Sequence, residues 1–157
     1  MPDEFDEIHS LLQQKEYDLA LHKLLTKAHR LRARFCTDQN HSWYLVGSAF
    51  YKMNDLRRAL SAYQKALEAW PGDVEAMWAL ANCHSERGHP EQAAKILKRA
   101  IVLAPRNQAL KYNYANALFD LGQYEQAIKL YQQLLRSKRV GKAAGRNLAL
   151  ARRRLST

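Results

Sequence analysis

The sequence predicts an all-α protein built from repeated helix-turn-helix units, and three observations predict it. Ala59, Ala93 and Ala127 recur at steps of 34 residues. Larger residues keep the same step around them: Tyr63, Leu97 and Tyr131 form one series, and Ala66, Ala100 and Leu134 another. Helix-ending residues fall where such units must stop, with Pro71 matched by Pro105 and Gly88 by Gly122. A fixed period of this size is the signature of a repeat architecture, in which each unit buries its apolar face against its neighbours.

Taken in order along the chain, residues 1–34 form a divergent first unit, because Tyr17, Ala20 and Leu24 are placed as Tyr124, Ala127 and Tyr131 are. Ala20 precedes Ala59 by 39 residues, which leaves five extra residues near Phe35 to Gln39. That excess either lengthens a helix or loosens the first junction. Units 40–73, 74–107 and 108–141 follow, each expected to hold two helices of about 14 residues, roughly 21 Å long. Gly88 and Gly122 suit the positive φ that closes a first helix. Pro90 suits the first turn of a second helix, and Pro71 and Pro105 cannot continue one. The alanines let paired helices approach closely, while Trp43, Phe50, Tyr63 and Tyr131 fill the space between them. Beyond residue 141, Ala144, Leu148, Ala151 and Leu155 make one apolar stripe on a helix otherwise carrying Lys142, Arg146 and Arg152 to Arg154. This stripe predicts a capping helix over about 142–156.

The run Trp43, Val46, Gly47, Phe50, then Ala59, Tyr63, Ala66 and Pro71, resembles the tetratricopeptide repeat. The resemblance implies a right-handed superhelical solenoid, one domain over 1–157, whose concave side is lined by the first helix of each unit. It also implies that the second, fifth, ninth and twelfth residues of those helices face the groove. The fifth positions are Tyr44, Trp78 and Tyr112, with Arg146 at the same place in the cap and Phe5 as an extension of the row. The ninth are Ser48, Asn82 and Asn116, and the twelfth Tyr51, Ser85 and Phe119. Aromatic rings give contact area at low entropic cost, and asparagines both donate and accept. Tyr44, Trp78, Asn82, Tyr112, Asn113, Asn116 and Arg146 are therefore the expected partner-binding residues. The competing assignment makes the aromatic row part of the core.

Within this family, one subset grips an acidic C-terminus with a carboxylate clamp. Asn82 and Asn113 match two of its asparagines, but Trp78, Ala143 and Asn147 stand where its cations belong. Asn113 and Asn147 also resemble the asparagine ladders by which other members hold peptide backbone.

Charge is graded along the chain. Residues 1–39 hold six Lys and Arg against seven Asp and Glu, whereas residues 142–157 hold five and none, within a total of +10. The gradient favours an acidic protein or peptide partner, or head-to-tail self-association into a scaffold. Nucleic acid is the weaker reading of the same charge: Lys98, Arg99, Arg136 and Lys138 sit late in helices, where the dipole favours cations, and no nucleic-acid motif accompanies them. No apolar run of about 18 residues predicts a membrane span, and residues 1–18 are acidic and polar, unlike a signal peptide. A cytoplasmic chain with Cys36 and Cys83 reduced is expected, which makes the Asn40-His41-Ser42 sequon irrelevant. Phosphate-loop, hydrolase and paired-cysteine metal motifs are missing. Cys83 and His84 are neighbours on one helix and point apart, so a metal shared with His89 is not expected, and His84 reads as a packed histidine. The expectation is a non-enzymatic adaptor or chaperone without a cofactor.

Overall fold

A computed structural model describes residues 5–156, and the described residues form nine α-helices and one short 3₁₀ turn. The helices are α1 (Asp6–Gln13), α2 (Tyr17–Leu24), α3 (Gln39–Lys52), α4 (Leu56–Ala69), α5 (Val74–Glu86), α6 (Pro90–Leu103), α7 (Gln108–Asp120), α8 (Tyr124–Leu134) and α9 (Gly141–Leu155). Two compact units divide the chain after Ala76.

In the first unit α3 and α4 pair around small residues. Ala49, Ala59 and Ala66 are fully buried. At Gly47 a Cβ would stand 2.6 Å from the Tyr63 ring, so only glycine lets that ring close the pair. Asp55 caps α4 by accepting from the Arg58 N–H, and Asp73 caps α5 by accepting from the N–H groups of Glu75 and Ala76. Such caps satisfy donors that the first helical turn leaves unpaired. Asn40 Nδ2 donates to the other Asp73 oxygen at 2.9 Å and to the Ala66 carbonyl at 3.0 Å, tying the start of α3 to the far end of the unit.

The first pair departs from the expected lengths. Helices α1 and α2 have 8 residues each, and residues 25–38 are not α-helical. The five-residue excess therefore enlarges the junction instead of lengthening a helix. Leu25 and Leu31 make an isolated antiparallel bridge, Thr26 N–H donates to the Arg30 carbonyl, and a 3₁₀ turn at Ala33–Phe35 follows. The physical reason is Phe35. Its ring is fully buried, 5.4 Å from that of Phe5, and its carbonyl accepts from the buried Ser42 hydroxyl at 2.8 Å. Phe5 is thus a core residue and not an exposed member of an aromatic row.

In the second unit α6, α7, α8 and α9 pack around Ala93, Ala100, Ala117, Ala127, Ala144 and Ala151, each at most 1% exposed. Gly88 and Gly122 adopt φ of 74° and 73° at the ends of α5 and α7, as expected, and Pro90 opens α6. The apolar stripe of α9 is seated on Tyr131 and Leu134 through Ala144 and Leu148. Because Ala93 is fully buried, Ala93→Leu is expected to cost about 1–3 kcal/mol by overpacking. Urea denaturation followed by circular dichroism measures it, and an unchanged midpoint would contradict the 34-residue register.

Candidate functional site

The side chains expected to bind a partner fall mainly in the second unit, on α5, α7 and α9. Trp78 is 37% exposed, and Asn82 lies one turn further along α5, half-buried. Residues one turn apart share a helix face. Tyr112, Asn113 and Asn116 are half-buried on α7. Arg146, on α9, is exposed, with half-buried Asn147 beside it.

The asparagines are joined to one another. Asn113 Nδ2 donates to Asn82 Oδ1 at 3.2 Å, linking α7 to α5, and Asn147 Nδ2 donates to Asn116 Oδ1 at 2.9 Å, linking α9 to α7. Both pairs are 31 residues apart in sequence. Asn147 Nδ2 also donates to the Tyr112 hydroxyl at 3.1 Å, while the Tyr131 hydroxyl donates to Asn116 Oδ1 at 2.7 Å. Tyr131 is fully buried, and this burial pushes its phenol far above the ordinary range, so it acts as a neutral donor. The asparagines thus form a ladder of two rungs across α5, α7 and the capping helix α9. A carboxamide offers two donors and two lone pairs. The Asn116 oxygen accepts twice and Asn147 Nδ2 donates twice. It is therefore the Asn116 donors, the Asn147 oxygen and the unused donors and lone pairs of Asn82 and Asn113 that these bonds leave for a ligand.

Beside the second rung lies a pocket of about 300 Å³ lined by Asn116, Phe119, Asp120, Tyr131, Asn147 and Leu150. Asn147, Tyr131, Asp120 and Leu150 were not among the expected site residues. Asn147 nevertheless stands 34 residues after Asn113, the step that already marks these two as ladder asparagines. Asp120 ends α7, where a carboxylate faces the negative end of the helix dipole. Partial burial raises its pKa above the ordinary carboxylate value. A raised acid pKa means that the folded state is penalised once the group ionises, so the penalty is missing below the unfolded-state pKa and grows as pH rises through the folded one. Asp120→Asn is therefore expected to stabilise the chain at pH 7 by about 0.3–1 kcal/mol and to make no difference in acid. Thermal unfolding at both pH values checks this.

Tyr44 belongs to the first unit. It is half-buried, its ring centroid stands 5.7 Å from that of Tyr63, and its phenol is raised by burial first and by Glu75 second. Tyr44 is thus partly engaged in packing. His84 is half-buried, as a packed histidine should be; its Nδ1 is buried with no hydrogen-bond partner among the described residues, and burial holds its pKa below the ordinary value. Burial pushes the Cys83 thiol up to about 12, so it is protonated at neutral pH and a poor nucleophile. Among the described residues no group of His, Cys, Asp and Glu is placed to hold a metal ion, and no helix is long and apolar enough to cross a membrane.

Paired helices punctuated by glycine and proline, with polar and aromatic residues on the first helix of each pair, define a tetratricopeptide-repeat protein. Residues 9–141 match the model of the cytochrome c-type biogenesis protein H TPR domain, and the chain belongs to that family. Among curated proteins it is 25% identical over 127 residues to the tetratricopeptide repeat-containing protein trd-1 of Caenorhabditis elegans, covering 81% of this chain and 16% of that one. It is 26% identical over 110 residues to Superkiller protein 3 of Saccharomyces cerevisiae, covering 70% and 8%. The chain thus spans a small part of these relatives. Solved structures share the fold at low identity. MamA residues 41-end from Desulfovibrio magneticus RS-1 aligns with a TM-score of 0.84 at 18% identity, over 96% of this chain and 82% of the other. The first TPR of Spaghetti (RPAP3), bound to the HSP90 peptide SRMEEVD, gives 0.69 at 18% identity, over 76% and 97%.

Proposed function

We propose that this chain is a non-enzymatic adaptor or chaperone that holds a segment of a protein partner against the first helices of its second unit. The observation that carries this reading is the amide ladder flanked by Trp78 and Tyr112. Core packing does not require a 37% exposed tryptophan beside half-buried carboxamides. The rings supply apolar contact, the remaining amide donors and acceptors hold backbone, and the pocket beside Phe119 receives one side chain. Residues 77–157 carry fifteen Lys and Arg against four Asp and Glu, which favours an acidic partner, with Arg146 placed to meet a carboxylate. A peptide in the RPAP3 TPR structure is a precedent for segment binding on this fold. Its chemistry is not carried over, because Trp78, Ala143 and Asn147 occupy the cation positions of a carboxylate clamp. Two unpaired cysteines support a reducing, cytoplasmic setting.

Nuclease-treated capture from native lysate at increasing salt, paired with sedimentation of the purified chain, tests this reading. It expects retained protein and a mass that is constant with concentration. A mass that grows with concentration would instead make the chain a self-assembling scaffold. Retention that vanishes with nuclease and falls steeply with salt would make it a nucleic-acid binder.

A further inference from the structure

The enlarged junction of the first unit builds something that the repeat pattern does not require. Residues 25–32 fold back on α2 and leave a cleft of about 300 Å³ against α3 and α4, a volume at the small end of ligand sites. Its floor is apolar: Leu21, Leu25 and Phe50 are each at most 9% exposed. Its rim is basic, with Lys27 and His29 from the loop, His22 from α2, Arg32 and Arg58, and none of its lining residues is acidic. We propose that this cleft is a binding site for a small organic anion, a carboxylate or phosphate carried on a short apolar body.

Composition does not force this cluster. Residues 1–76 hold ten Lys and Arg against eleven Asp and Glu, so three cations gathered around one apolar floor cost mutual repulsion in a unit with acids to spare. The arginines are also held in place. Arg32 donates Nε–H to the His22 carbonyl at 3.0 Å. Arg58 donates Nε–H to Asp55 Oδ2 at 2.6 Å and stacks on Phe50 at 4.5 Å from the ring centroid. A guanidinium has five N–H donors, so these bonds leave the terminal nitrogens to pair with an oxyanion in the two-pronged geometry that carboxylate and phosphate share. Asp55 offsets part of the Arg58 charge, which leaves Lys27 and Arg32 as the dominant anion contacts. The loop itself is pinned: Arg30 N–H donates to the Thr26 hydroxyl at 3.3 Å and His29 N–H to the Thr26 carbonyl at 2.9 Å. His29 holds φ at 55°, a conformation sparsely used by non-glycine residues. A pinned loop loses little freedom when a ligand binds.

Calorimetric titration with hexanoate, phenyl phosphate and inorganic phosphate, on the whole chain at low salt, tests the site. Saturable millimolar binding of hexanoate or phenyl phosphate is expected, with inorganic phosphate weaker because it cannot cover the Leu21, Leu25 and Phe50 floor. Preference between the two organic probes identifies carboxylate or phosphate as the natural group. Lys27→Gln and Arg32→Gln should each weaken binding about tenfold, while Arg34→Gln, outside the cleft lining, should leave it unchanged. Among the described residues the Lys27 side chain makes no hydrogen bond or ion pair, so its variant remains informative even if Arg32→Gln loosens the loop. No saturation by either organic probe, or equal weakening by Arg34→Gln, would overturn the proposal.

Discussion

Tyr131→Ala is expected to lower unfolding free energy by about 3–5 kcal/mol, whereas Tyr131→Phe should cost only about 1 kcal/mol. The ring is fully buried among Ala115, Leu118, Leu134, Ala144 and Leu148. Removing it opens a cavity at the point where α7, α8 and α9 converge, and nearby helices can relax only partly to fill it. Removing the hydroxyl alone deletes one donor to Asn116 Oδ1, which still accepts from Asn147. No buried acceptor is left bare, so the cost stays near that of one net hydrogen bond. Urea unfolding followed by circular dichroism separates the two variants. Equal losses would place the stabilisation in the hydroxyl network instead of the ring.

Trp78→Ala combined with Tyr112→Ala is expected to weaken partner binding by about 100-fold or more while helicity stays intact. Two aromatic anchors carry much of the contact area in the proposed site. Trp78 is the more exposed ring and should act almost wholly through the partner. Tyr112 also accepts from Asn147 and stands 6.2 Å from the Tyr131 ring centroid, so its loss should cost some stability as well. A double-mutant comparison distinguishes these roles: Trp78→Ala alone should change binding with little effect on the unfolding midpoint. Collapse of helicity in that single variant would return Trp78 to the core.

The repeat was legible because packing recurs with the sequence period. Ala59, Ala93 and Ala127 share one residue type because each meets a helix at close range, and all three are fully buried. The first junction was not legible, since the alanine series counts the excess residues without saying where they go. Burial of Phe35 and the Leu25–Leu31 bridge decide that, and both are tertiary. The aromatic positions on the first helices could be read from spacing alone. The pairing of their asparagines could not, because each rung joins different positions in successive units, a ninth residue with a sixth. Asp120 and Leu150 escaped for a related reason: their pocket exists only where α7 and α9 pack together, and neither residue stands out in its own helix.

Site-specific photocrosslinking tests the central claim most directly. A photoreactive amino acid is placed at position 78, and at position 102 as a control, because Val102 on α6 is 76% exposed and is not part of the proposed site. The expected result is a crosslinked partner protein from position 78, lost on Tyr112→Ala, with none from position 102. Crosslinks from position 102 but not from position 78 would contradict a partner site on the first helices of the second unit.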